Sequence, residues 1–152
     1  MTTNAQVREA WRDLVFAALP GAGVNAFDNQ VLPETRRERK SCMLNKRIDY
    51  WQYIVSNVPT PGMLGAEIQS FEVQVTRVIQ KDADNAAFNE VLDDISEALY
   101  DKVKTGLGDT WNGTVQQWDP PAGQPKVVED NFGEERVWKC TVVYKAQNQV
   151  NY

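Results

Sequence analysis

The stretch Glu67 to Gln80, EIQSFEVQVTRVIQ, constrains the fold of this chain more than any other. Successive side chains of a strand point to opposite faces, so Phe71, Val73 and Val75 fall on one side while Glu72, Gln74 and Thr76 fall on the other. One face is then buried and the other is wet or at an interface. The elements that cover the buried face follow from a different period. Val7, Ala10, Trp11, Leu14, Val15, Ala18 and Leu19 recur at the spacing of one helical face. Thr3 and Gln6 can form a capping box before them, and Pro20-Gly21 stops the helix. A second helix is predicted from about Ala86 to Val103, with Asp82 or Asp84 as N-cap. Phe88, Val91, Leu92, Ile95 and Leu99 make its apolar stripe, while Glu90, Asp93, Asp94, Glu97 and Asp101 crowd the rest of its surface.

Four further segments read as strands. Val24 to Gln30 is a short candidate. Ile48 to Asn57, IDYWQYIVSN, is rich in aromatic and β-branched residues, and Pro59, Pro61, Gly62 and Gly65 mark a loop after it. Gly113 to Trp118 and Glu135 to Ala146 complete the set, the last with Val137, Cys140, Val142 and Tyr144 as its apolar content. Between them Asp119 to Glu134, with three Pro and two Gly, reads as a long loop or an extended arm. The 152 residues suffice for one self-supporting core, and 42% hydrophobic residues mark a globular chain. The expectation is a single α+β domain over residues 1–152. It has a largely antiparallel or mixed sheet of about five strands, with two main amphipathic helices on one face.

The residue inventory narrows the chemistry. The chain has no His, which removes the commonest general base and metal ligand, and Ser-His and Cys-His nucleophile systems with it. Cys42 and Cys140 lie far apart with no CxxC, so they read as reduced thiols. No phosphate-cradling or dinucleotide motif occurs. The carboxylates Asp82 and Asp84, or Asp93, Asp94 and Glu97, are the remaining catalytic material, and helix capping or a solvated acidic face accounts for them more simply. No catalytic residue, metal or cofactor is expected. Asn112-Gly113 reads as a tight turn. Trp11 reads as core, while Trp51, Trp111, Trp118 and Trp138 flank strands or turns, where interface roles are also common. The N-terminus turns polar at once, and no apolar run approaches the roughly 20 residues that span a bilayer, so a protein without a membrane partner is expected.

Charge is unevenly distributed. Residues 36 to 47, RRERKSCMLNKR, hold six of the sixteen Lys and Arg and one acid, Glu38. This window carries +5, and the rest of the chain carries -10. The window has no aromatic to stack on bases and no recognition-helix pattern. Loose attraction to phosphate, a contact with an acidic protein surface and a solvated loop all remain open for it.

The order of elements resembles the tail terminator, or tail completion, proteins of long-tailed bacteriophages. Four segments carry the resemblance: the helix Asn4 to Leu19, the strand FEVQVTRVIQKD (Phe71 to Asp82), the acidic helix NAAFNEVLDDISEALYDKV (Asn85 to Val103) and the strand RVWKCTVVYKAQ (Arg136 to Gln147). The resemblance implies a non-enzymatic virion protein at the head-tail junction, found in the host cytoplasm during assembly. Its subunits would form a homohexameric ring that caps the tail tube, ends tube polymerisation and meets the head-tail connector. DNA would pass through the channel without sequence recognition. In such a ring Arg36, Arg37, Arg39, Lys40, Lys46 and Arg47 are candidates to face a neighbour's acids, with Glu90, Asp93, Asp94 and Glu97 on the other side of the contact, or else to point into the channel or at the tube. The alternative is a small intracellular nucleic-acid-binding module that uses the basic loop 36–47.

Overall fold

In a computed structural model the described residues are 2–17, 26–27, 43–44, 47–61, 66–81 and 85–151. The helix α1 spans Asn4–Ala17. The strands are β1 (Ala26–Phe27), β2 (Met43–Leu44), β3 (Arg47–Pro61), β4 (Ala66–Gln80), β5 (Gln117–Asp119), β6 (Lys126–Phe132) and β7 (Glu135–Asn151). The second helix, α2, is one continuous run. It is α-helical over Asn85–Asp93 and Leu99–Lys102, and widens into π turns over Asp94–Ala98 and Val103–Leu107.

The strands run in the order β1-β3-β4-β7-β5, with β2 also on β3 and β6 also on β7. All pairings are antiparallel except β1 with β3. The long strands β4 and β7 form the spine, in a register that sets Glu72 opposite Lys145 and Thr76 opposite Thr141. Both helices pack on one face, so the α+β architecture is the one expected. Their shared core takes Val7, Trp11 and Leu14 from α1, Val91, Ile95, Leu99, Val103 and Leu107 from α2, and Phe71, Val73 and Val75 from β4.

The capping box forms as the sequence implies. The Thr3 amide donates to Gln6 Oε1 at 2.9 Å, and the Gln6 amide donates to Thr3 Oγ1 at 3.2 Å. Trp11, fully buried, then meets Trp111 edge-on at a centroid distance of 5.2 Å and Tyr144 at 5.2 Å. Trp51 and Trp111 are also fully buried, so they serve the interior of the subunit.

The π turns in α2 have a physical origin in its sequence. The buried residues Val91, Ile95, Leu99, Val103 and Leu107 recur every fourth position. An ideal α-helix advances 3.6 residues per turn, so a strict four-residue stripe drifts about 40° at each step. Hydrogen bonds from residue i+5 to residue i widen the turn and hold the stripe over the sheet. The amide of Leu99 donates to Asp94 O, and that of Gly108 donates to Val103 O. Ser96 and Thr105 also donate their hydroxyls to the carbonyls of Leu92 and Asp101, at 2.6 and 2.7 Å. The helix therefore runs past Val103 to Leu107, a turn further than predicted. Gly106 fits there because α1 comes close: a Cβ at this position would sit 3.2 Å from Leu14 Cδ1.

Four segments differ from expectation. First, β3 continues through Pro59 and Pro61, opposite Gln69 and Glu67, where a loop is predicted. Proline lacks a ladder donor and is admitted at a sheet edge. Because β1 reaches only Trp51 and Gln52, β3 is such an edge beyond them among the described residues. Second, within Gly113 to Trp118 only Gln117 and Trp118 are strand, and the segment opens in a turn. Trp111, Asn112 and Gly113 have φ of 45°, 58° and 83°, so the tight turn expected at Asn112-Gly113 occupies the place of the strand's start. Third, the predicted loop 119–134 contains β6. The prolines are confined to residues 120–125, after which KVVEDNF pairs with β7 through a turn at Gly133, φ 61°. Fourth, the outer face of the sheet is not uniformly wet. Glu72 and Gln74 are exposed, but further along β4 Val78 joins Ile48, Tyr50, Phe132 and Val137 in a second small core.

Candidate assembly surface

The acidic face of α2 is sorted by the helix itself. Glu90, Asp93 and Glu97 are exposed and have no basic partner among the described residues. Asp94 is turned inward. Its Oδ2 accepts from Nη1 of Arg77 at 2.8 Å, while Arg77 Nε and Nη2 donate to the two carboxylate oxygens of Asp49 at 3.1 and 3.0 Å. The guanidinium also lies 5.1 Å from the ring centroid of Trp51. Arg77 is 7% exposed as a side chain, against 21% for Asp49 and 31% for Asp94. Burial disfavours its charge. The hydrogen bonds and fields of Asp49 and Asp94 outweigh that cost, and its pKa lies above the ordinary guanidinium value.

Within the subunit Asp94 is thus an anchor that docks α2 on the sheet. The reason is that the same alternation that buries Phe71, Val73 and Val75 also turns Arg77 toward the helices, and a buried cation needs acids. That parity is the sequence signal for Arg77, which shares the odd-numbered face of β4 with Phe71, Val73 and Val75. Of the basic candidates, Arg47 is exposed at the start of β3. Arg36, Arg37, Arg39, Lys40 and Lys46 lie outside the described residues, as do Cys42, Asp82 and Asp84.

A second charged group lies on the β6–β7 hairpin. Glu129 is ion-paired with Lys81 and lies 3.3 Å from Arg136, while Asp130 pairs with Lys139 at 2.7 Å. The Lys81 hydrogen bond holds the Glu129 carboxyl below its usual range, and Lys139 together with the Asn131 amide does the same for Asp130. Lys81 also lies over Trp138, 4.9 Å from its ring centroid, and Trp138 packs on Phe88 of α2 at 5.2 Å.

Reactive groups in the core are held quiet. Cys140 is buried as a free thiol, and burial pushes it up to about 11 with Arg77 pulling the other way. Burial likewise raises the Tyr144 phenol, with Tyr100 adding to the effect. Among the described residues no group of three or more His, Cys, Asp or Glu could hold a metal ion. No helix among them is long and apolar enough to cross a membrane. Compared with known proteins, the chain matches no protein-family model and no curated sequence.

Proposed function

We propose that this chain is a structural subunit of a ring that closes the tail tube of a long-tailed bacteriophage, ends tube polymerisation and offers the surface that meets the head-tail connector. The observation that carries the reading is the sorting of charge on α2. Asp94 is neutralised within the subunit by Arg77, whereas Glu90, Asp93 and Glu97 are left together on an exposed helix face with no basic partner among the described residues. Like charges at i and i+4, such as Asp93 and Glu97, cost a few tenths of a kcal/mol on an isolated helix. A neighbour's basic segment would offset that cost in a head-to-tail ring, and the +5 window at 36–47 is a segment of the required sign. The four segments behind the resemblance to tail terminators also correspond to α1, β4, α2 and β7, which build the core.

The test is solution mass by light scattering over a range of salt, together with negative-stain images of the protein alone and with tail tubes. Rings, or tubes capped at one end, are expected. Reversing Arg36, Arg37 and Arg39 to Glu is expected to open the ring, and so is reversing Glu90, Asp93 and Glu97 to Lys, with partial recovery when the two variants are mixed. A monomer that leaves tube ends bare overturns the reading. Salt-sensitive DNA binding lost on neutralising the basic window would favour a nucleic-acid module instead.

A further inference from the structure

Among the described residues the strand β6 leaves a sheet edge open. It pairs only with β7 among them, and residues 126–131 are exposed. They include Val127 and Val128, 37% and 45% exposed, the large apolar side chains left in solvent among the described residues. Soluble proteins usually blunt such an edge with proline, a bulge or free charge. No proline lies between Lys126 and Phe132, and Glu129 is tied inward by Lys81 and Arg136, while Asp130, paired with Lys139, keeps 49% of its side-chain surface in solvent, where a second cation can reach it. Lys126 has no acidic partner among the described residues.

We propose that β6 pairs antiparallel with β6 of a second copy of this chain, about a two-fold axis at Val128, to make one sheet across two subunits. Directly opposed residues of a pair of strands share a face, so a two-fold pairing must be centred on a residue. Lys126, Val128 and Asp130 share the outer face, opposite Thr141, Lys139 and Val137 of β7. Centring on Val128 places Val128 against its own copy and sets Lys126 opposite Asp130 on both sides of the axis. Centring on Glu129 would oppose two carboxylates, and centring on Val127 would bring Pro125 into the ladder. The charge pattern thus selects one register, and the occupant is a second copy because the strand is complementary to itself. The contact is two-fold, distinct from the head-to-tail contact of a ring and independent of it.

Cross-linking reads the register directly. In a Cys42→Ser background, Val128→Cys places two thiols at a self-opposed position, where strand geometry puts the Cα atoms within disulfide reach. Mild oxidation is expected to give a covalent dimer from Val128→Cys and at least tenfold less from Val127→Cys. By sedimentation, Lys126→Asp or Asp130→Lys alone is expected to weaken this association about tenfold or more, and an equal mixture of the two to recover it. Circular dichroism checks that each variant folds. Equal cross-linking from the two cysteine variants, or charge reversals with no effect, overturns the pairing. Intact rings with no Val128 cross-link would refute this contact alone, and a cross-link without rings would refute the ring alone.

Discussion

Replacing Arg77 with Met removes the guanidinium that bridges Asp49 of β3 and Asp94 of α2 and leaves two partly buried carboxylates without their cation. Losing one partner of a buried ion pair costs about 3 to 5 kcal/mol, most of it from the charge left without compensation. Asp49 and Asp94 keep 21% and 31% of their side-chain surface in solvent, so the lower end applies, about 3 kcal/mol. That is a large fraction of the roughly 5 to 15 kcal/mol that holds a domain together. Asp94→Asn keeps the bidentate pair with Asp49 and is expected to cost only about 1 kcal/mol. The triple change Arg77→Met, Asp49→Leu, Asp94→Leu removes every charge at once and is expected to recover most of the loss, since apolar side chains of similar volume replace buried ion pairs at little cost. Urea unfolding followed by tryptophan fluorescence at one fixed protein concentration measures all three, the fixed concentration guarding against stabilisation by assembly. An Arg77→Met variant within about 1 kcal/mol of the parent, or a triple variant no better than the single one, would refute the anchoring role.

Three further outcomes follow from local geometry. Breaking the capping box with Thr3→Ala is expected to cost about 1 kcal/mol in the same urea assay, with Gln6→Ala a smaller loss. The Cys140 thiol, pushed up to about 11 and buried, is expected to react with iodoacetamide at about pH 8 orders of magnitude more slowly in the folded Cys42→Ser protein than in urea. Fast native labelling would show that the core opens there. Glu129 and Asp130 have folded pKa values below their unfolded ones, so their pairs stabilise the hairpin above the unfolded carboxylate range and lose that effect as pH falls through the folded values. Carboxyl NMR titration is expected to place both below ordinary carboxylates, and Lys81→Met to return Glu129 toward its usual value.

Elements with a single strong period were legible in the sequence. The capped helix at Asn4, the alternating strand through Phe71 to Val75 and the apolar stripe of α2 all appear where their spacing places them. The strand β6 escaped because alternation records burial on one face, and an edge strand exposed on both faces leaves none to read. The prolines of β3 misled for a related reason. Proline argues against a central strand, and only the sheet order reveals that this end of β3 lies at an edge.

The sequence by itself determined the layer architecture, because periods of two and of nearly four assign each segment one buried side whatever its neighbours turn out to be. It also determined the uneven charge. Only the tertiary structure decided which charges remain for a partner. Asp93 and Asp94 are adjacent and chemically identical, yet the rotation between consecutive helical positions sends one to solvent and the other to Arg77. Pairing across a fold depends on distances that no local pattern contains, and among the described residues those distances leave Glu90, Asp93 and Glu97 outside and the edge of β6 open.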